Sequence, residues 1–174
     1  MSEHAVRTKN DESIPRTVIV GLGNPVRGDD AVGLRVAELF EERLREAPLK
    51  GVTVATSTRA GLEIVELLAG TDRAVIVDCL ATPDSQPGRV RRLSIADCAG
   101  SARLVGAHDL TIADAFALAR STGVPMPADV AIYGIEAEDR QTIEERLSPA
   151  VEAAAARLAA ELYERLAAGV PALH

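Results

Sequence analysis

The stretch TVIVGLGNPVRGDDAVGLRVAELF, residues 17–40, decides the fold. Its first six residues form a short apolar, β-branched run interrupted by a glycine, which is typical of a strand covered on both faces in a parallel sheet. After the glycine-rich turn, apolar residues recur at helical spacing from Ala31 to Arg45. A strand, a turn and a helix in this order predict the first half of a βαβ unit.

The rest of the chain repeats this alternation of strands and helices. Further strands are predicted over 52–56, 74–77 with Asp78 at the end, 89–93 at an edge, and 130–134. Helices are predicted over 62–68, over 110–119, and from Ser148 as N-cap with Pro149 as the first helical residue. We therefore expect a three-layer α/β/α sandwich, phosphorylase/hydrolase-like, with a mostly parallel twisted sheet of about five strands.

Two details of this prediction concern the segment before the last strand. Residues 94–108 lack periodicity and are predicted to form a long loop, which in a compact domain is usually functional. In the following helix the inward-facing residues are predicted to be Leu110, Ala113, Ala117 and Leu118.

Length and composition favour one globular domain. With 174 residues, the chain is predicted to have a flexible tail over 1–16, a single α/β domain over 17–168 and a second tail over 169–174. Hydrophobic residues make up 47% of the chain and aromatic residues only 2%, so Val, Ile, Leu and Ala must build the core.

Charge and hydropathy disfavour several classes of function. The formal net charge of −7 would repel a phosphate backbone, so we expect no nucleic-acid partner. No apolar run approaches the length of about 20 residues that a membrane span requires, so we expect no membrane insertion. The two cysteines, Cys79 and Cys98, form neither a CxxC pair nor a disulfide framework, which favours a reducing cytoplasm.

The glycines of the opening turn match neither common nucleotide-binding motif. Gly21 and Gly23 begin a GxGxxG pattern, but Val26 stands where the third glycine would be. A GK[ST] sequence is also absent, so the turn is not a P-loop.

Polar residues instead follow the predicted strands at the edge where such sheets bind ligands. The first turn contains Asn24, Asp29 and Asp30, the third strand is followed by Asp78, and His108 precedes a helix. Asp29 is predicted to be the N-cap of the first long helix. Asp30, a second adjacent carboxylate, is then the better candidate for a ligand.

One histidine and two carboxylates suit a divalent transition metal such as nickel, zinc or iron. Such a metal could polarise a carbonyl or activate water. Alternatively, the carboxylates alone could form an acid/base pair. A nucleophilic Cys79 is disfavoured, because the neighbouring charge of Asp78 would raise its pKa.

Four segments, in order, resemble the hydrogenase maturation endopeptidases. They are GLGNPVRGDDAVGLRVAELF, RAGLEIVELLAGTDRAVIVDCL, AHDLTIADAFALARSTG and YGIEAEDR, and the resemblance covers nearly all of residues 17–168. The family resemblance implies a cytoplasmic protease that removes the C-terminal extension of a nickel–iron hydrogenase large-subunit precursor after nickel insertion. The nickel is then carried by the substrate.

The resemblance also implies roles for particular residues. The metal-contacting positions of the family correspond here to Asp30, Asp78 and His108. Family members are classed with aspartic-type peptidases, and Asp30 and Asp78 are the catalytic candidates. The residues predicted to contact the substrate are Gly23, Asn24, Asp29 and Arg59.

One departure from the family pattern leaves alternatives open. Many members have an aspartate after the second strand, but Thr56 stands here and Arg59 follows, which could recognise an acidic feature of the client. A non-catalytic, nickel-dependent chaperone of the large subunit is therefore one alternative. The VGLGNP segment also resembles the start of peptidyl-tRNA hydrolase, but no histidine lies between His4 and His108.

Overall fold

The described part of the chain contains five strands and four α-helices. The structure, a computed structural model, describes residues 14–58, 62–98, 111–138, 143 and 146–169. The strands are β1 Thr17–Leu22, β2 Val52–Ser57, β3 Arg73–Leu80, β4 Val90–Leu93 and β5 Asp129–Glu136. The helices are α1 Val32–Glu46, α2 Leu62–Leu68, α3 Ile112–Thr122 and α4 Pro149–Ala167, with short 3-10 helices at Gly28–Ala31 and Ala96–Cys98.

The five strands form one mixed sheet in the order β2-β1-β3-β5-β4. All neighbouring pairs are parallel except β4 and β5, which are antiparallel. The charged β4 lies at the edge, as its alternating pattern predicted. The prediction of a mostly parallel sheet of about five strands is confirmed.

Helices cover both faces of the sheet and complete the predicted three layers. On one face, α1 and α4 pack on alternate strand residues such as Ile19, Val75 and Val77. On the other face, α2 and α3 pack on the intervening residues, including Val20 and Ile76. Because both faces are covered, the central strands are apolar along nearly their whole length.

Two sequence predictions differ from the structure. β3 does not end before Asp78 but continues to Leu80, because β5 still offers a hydrogen-bonding partner there. In α3 the predicted inward face is wrong: Ala117 and Leu118 are exposed and Ala113 is only half-buried. The buried residues are Ile112, Ala115, Phe116 and Ala119. The predicted start at Leu110 and the loop from 99 onward lie outside the described residues.

Both ends of α3 and the start of α4 have local signals that set their bounds. Thr111 and Asp114 form a reciprocal capping box, and Gly123 ends the helix in a left-handed conformation at φ 71°. Ser148 and Pro149 occupy the N-cap and first helical positions of α4, as predicted. None of the helices described is long and apolar enough to span a membrane.

Two glycines allow α1 to lie directly on the sheet. A methyl group at Gly21 would lie 2.2 Å from the carbonyl oxygen of Gly33. A methyl group at Gly33 would lie 2.2 Å from the Leu22 oxygen and 2.3 Å from the Val77 oxygen. The first turn of α1 therefore touches β1 and β3 backbone to backbone, which fixes the short helix that precedes it.

A buried carboxylate ties the β3–β4 connection to the end of β5. Glu136 is 0% exposed, accepts a hydrogen bond from the Gln86 N–H at 2.6 Å, and pairs with the Arg91 guanidinium. Burial by itself raises the pKa of Glu136, but the Gln86 N–H and Arg91 outweigh it and hold the pKa below its ordinary value.

We expect Glu136→Gln to lower the free energy of unfolding at pH 7 by about 2 kcal/mol, because a charge-assisted pair is lost. A lowered folded-state pKa stabilises the fold above the unfolded-state pKa of about 4.3. That stabilisation is lost as pH falls through the folded-state pKa, so wild type and variant should converge in acid. Urea unfolding across this range measures the difference. The exposed Glu161→Gln, which breaks a surface pair with Arg165, should change stability by less than about 0.5 kcal/mol.

Candidate active site

Hydrogen bonds to β2 and within the loop fix the conformation of the loop after β1. The Gly23 N–H donates to the Ser57 oxygen at 3.2 Å, and the Asn24 N–H donates to the Asp30 oxygen at 3.2 Å. Asn24 Oδ1 accepts the Val26 N–H at 3.1 Å. A methyl group at Gly23 would lie 2.1 Å from the Asp30 oxygen, so only glycine fits there. The loop thus fixes the backbone of Asp30, whose side chain is half-buried.

Gly23 and Asn24 in this turn are predicted to contact the substrate. The structure instead shows the chain approaching itself, Gly21 against α1 and Gly23 against Asp30. Asn24 likewise uses its side-chain oxygen within the turn. Their predicted substrate contacts stay predictions, and what the structure supports directly is a role in positioning Asp30.

Asp29 is not a helix cap, and that prediction is wrong. Its carboxylate is 2% exposed and accepts hydrogen bonds from the Glu138 N–H at 2.8 Å, the Ser148 N–H at 2.6 Å and the Ser148 hydroxyl at 3.0 Å. The N-cap of α1 is Ala31, which has no capping side chain. The intervening 3-10 helix turns Asp29 toward the start of α4, where it holds both ends of the 138–148 connection beside the opening loop.

Asp78 lies inside β3 but at the carboxyl edge of the sheet. The pairing of β3 with β1 ends at Val77, while the pairing with β5 continues through Asp78 and Gly134. Its side chain is 7% exposed and accepts the Cys79 N–H at 2.7 Å. By strand alternation it points to the face covered by α2 and α3, beside Ile76 and Leu80 in that layer.

A thiol that the sequence did not single out lies near Asp78. Burial raises the pKa of Cys98 to about 11, and the negative charges of Asp97 and Asp78 add to that rise. Its Sγ donates to the Ser94 oxygen at 3.4 Å. The thiol therefore stays protonated at neutral pH. Cys79 is also fully buried, which agrees with the prediction that it is not a nucleophile.

A further carboxylate, that of Glu63, contacts the end of β2 and was not predicted from the sequence. Thr56, where the resemblance implied an aspartate, is exposed, whereas Ser57 is buried and donates from its hydroxyl to Glu63 Oε2 at 2.5 Å. Glu63 lies in the first turn of α2. An acidic residue at a helix start is commonplace, so nothing specific in the sequence indicated this contact.

The predicted metal ligands are only partly within the described residues. His108 and the predicted substrate contact Arg59 lie outside them. Asp30 and Asp78 are placed on neighbouring elements, since the 3-10 helix at Gly28–Ala31 contacts β3. Among the described residues no group of three histidine, cysteine or acidic side chains could hold a metal ion. The Asp30, Asp78 and His108 ligand set stays a prediction.

The fold and the placement of Asp30 and Asp78 define the class: an open α/β sheet with a candidate site of carboxylates at its carboxyl edge. The HycI hydrogenase maturation protease family matches residues 34–165. This match spans most of the chain, from the first turn of α1 into the last turn of α4. The chain therefore belongs to the hydrogenase maturation protease family.

Individual relatives agree with this assignment. The hydrogenase 2 maturation protease of Escherichia coli K12 is 26% identical over 151 residues, covering 82% of this chain and 90% of that protein. The NiFe hydrogenase maturation protease HycI of Thermococcus kodakarensis KOD1 has a TM-score of 0.65 at 26% identity, covering 90% and 96% of the two chains. The endopeptidase HybD of Escherichia coli has the same fold, with a TM-score of 0.68 at 24% identity over 88% and 91%.

Proposed function

We propose that this protein is the endopeptidase that removes the C-terminal extension of a nickel–iron hydrogenase large-subunit precursor after nickel insertion. The observation that carries the proposal is the family match over residues 34–165, which includes the strand bearing Asp78. The maturation protease relatives support the same reaction and do not favour a peptidyl-tRNA hydrolase. We place the activity in the cytoplasm, whose reducing conditions keep thiols such as those of Cys79 and Cys98 out of disulfides.

Carboxylate chemistry is the mechanism that the described side chains support best. Neither cysteine suits a covalent route, because Cys79 is enclosed in the core and the pKa of Cys98 is about 11. Asp78 and Asp30 come from neighbouring elements at the substrate-binding edge. We propose that they contact the nickel carried by the substrate, together with His108, and that a carboxylate assists water in attacking the scissile peptide. This agrees with the aspartic-type class that the resemblance implies.

The test is mass spectrometry of the unprocessed large subunit from the same organism after incubation with this protein. Nickel-loaded and nickel-free precursors are compared in parallel. We expect a C-terminal peptide to be released only from the loaded precursor. Binding of loaded precursor without cleavage would contradict the proposal and favour the chaperone alternative, for which Thr56 is the supporting feature. Equal cleavage of both precursors would contradict the nickel requirement.

A further inference from the structure

Large apolar side chains are exposed mainly at one edge of the molecule. Of the six that are exposed among the described residues, four lie at the carboxyl edge of the sheet. They are Val26 at 46%, Leu62 at 59%, Val90 at 37% and Ile143 at 86%. We call these four residues the edge patch. Exposed apolar residues scattered singly need no explanation, whereas four at the edge that carries the candidate site are candidates for contact with a partner.

Because of the order of the strands, residues of the edge patch lie on both sides of the candidate site. Leu62 follows β2, Val26 follows β1, and Ile143 follows β5. Val90 begins the antiparallel β4 and pairs with Ile135 near the end of β5, so it lies at the same edge. Since the order is β2-β1-β3-β5-β4, two patch residues lie on each side of β3. Asp78 is therefore at the centre.

A groove extends this surface away from Val26. It has a volume of about 620 Å³, and its lining begins at Pro25 and includes Ala31, Leu34 and Leu147. The negative charges of Glu38 and Glu152 at the rim of the groove are offset by Arg35, whose guanidinium donates to Glu38 at 2.6 Å and to Glu152 at 2.9 Å. Apolar surface thus continues from the opening loop to the start of α4.

We propose that the edge patch is the docking surface for a protein substrate. The apolar surface of the substrate contacts the edge patch on both sides of Asp78, and the segment to be cleaved lies between these contacts, beside Asp30 and Asp78. This inference rests on the proposed function, since it names how that client is held. Four strand spacings separate β2 from β4, so the edge patch is about 19 Å wide. A folded partner can contact both ends of this width while its terminal segment lies between them, and stable interfaces bury about 800 Å² on each side.

The charge of the chain argues against a second copy as the occupant. At a net charge of −7, two identical molecules repel each other, and a self-complementary contact would have to overcome that repulsion. A different protein can bring a complementary charge around the same apolar contact. The client is therefore the better partner for this surface.

The experiment measures binding separately from cleavage. The triple variant Val26→Ser, Leu62→Ser and Ile143→Ser is compared with Ile14→Ser, a residue of similar exposure (53%) that precedes β1 at the opposite edge. Biolayer interferometry on immobilised, nickel-loaded precursor gives the dissociation constant. We expect the triple variant to bind at least about 10-fold more weakly and Ile14→Ser to bind as wild type does. Circular dichroism checks that both variants fold.

The outcomes separate this inference from the proposed function. Tight wild-type binding without cleavage would overturn the endopeptidase proposal, yet loss of that binding in the triple variant would still support the docking surface. Unchanged binding of the triple variant, or no binding of precursor by the wild type, would overturn the docking surface. Light scattering measures the oligomeric state of wild type and triple variant. If the substitutions change only self-association, the surface binds a second copy of this chain and the inference is wrong.

Discussion

Replacing Asp78 with asparagine is expected to slow precursor processing by about 1000-fold, which is within the range for a lost acid/base group. Asparagine has nearly the same volume and can still accept the Cys79 N–H, so the fold should persist. What disappears is the negative charge at the sheet edge. Asp30→Asn should have an effect of the same order, because Asp30 belongs to the same proposed site.

The measurement is a single-turnover processing assay on nickel-loaded precursor, read by mass spectrometry, with a thermal melt of each variant. Asp129→Asn is a matched control. Asp129 also lies in a strand of the sheet, but at the opposite edge, where it pairs with Arg73 at 3.8 Å. It should process at the wild-type rate. Processing by Asp78→Asn within tenfold of wild type, in a folded protein, would remove Asp78 from the chemistry.

The fold could be predicted from the sequence because its local and global signals agree. Uninterrupted β-branched runs such as TVIV and AVIV can bury both faces only in the middle of a covered sheet. The end of β3 was harder to predict. Asp78 interrupts the apolar run, so the sequence indicated a strand end, whereas the ladder with β5 continues to Leu80. The hydropathy of a segment depends on its own side chains and does not show how far a partner strand continues to pair with it.

The candidate site was only partly predictable, because some of its side chains bond to residues far away in the sequence. Asp29 has the local features of a helix cap, but its hydrogen-bonding partners lie 109 and 119 residues further along the chain. In α3, counting alanine and leucine positions placed the wrong face inward, since the large Phe116 and Ile112 decide the packing. The placement of Asp30 and Asp78 at the carboxyl edge could be predicted because each follows or ends an apolar strand run, and their roles there stay predictions.

The close approach of Gly33 to the sheet links the stability of the fold to the geometry of the site. We expect Gly33→Ala to lower the free energy of unfolding by about 3 kcal/mol, at the upper end of the cost of overpacking a core. The added methyl group would meet two backbone oxygens, those of Leu22 and Val77, at 2.2 and 2.3 Å. Backbone cannot change rotamer, so α1 itself would have to move away from the sheet.

For a chain of this size, 3 kcal/mol corresponds to a fall in melting temperature of about 10 °C. Gly70→Ala is the control: unlike Gly33, Gly70 has a left-handed conformation at φ 73°, but a methyl group there meets no atom within 4 Å. It should cost about 1 kcal/mol. If both variants melt alike, close approach is not what fixes α1.

Processing by Gly33→Ala supplies the second readout, well below its melting temperature. The helix that would shift begins directly after the 3-10 helix bearing Asp30, so displacement of α1 should move that carboxylate relative to Asp78 on β3. Misplacement by about 1 Å can cost 100-fold in rate. Reduced processing in a protein that is still folded would show that the glycine contact at the sheet sets the geometry of the site as well as the stability of the fold.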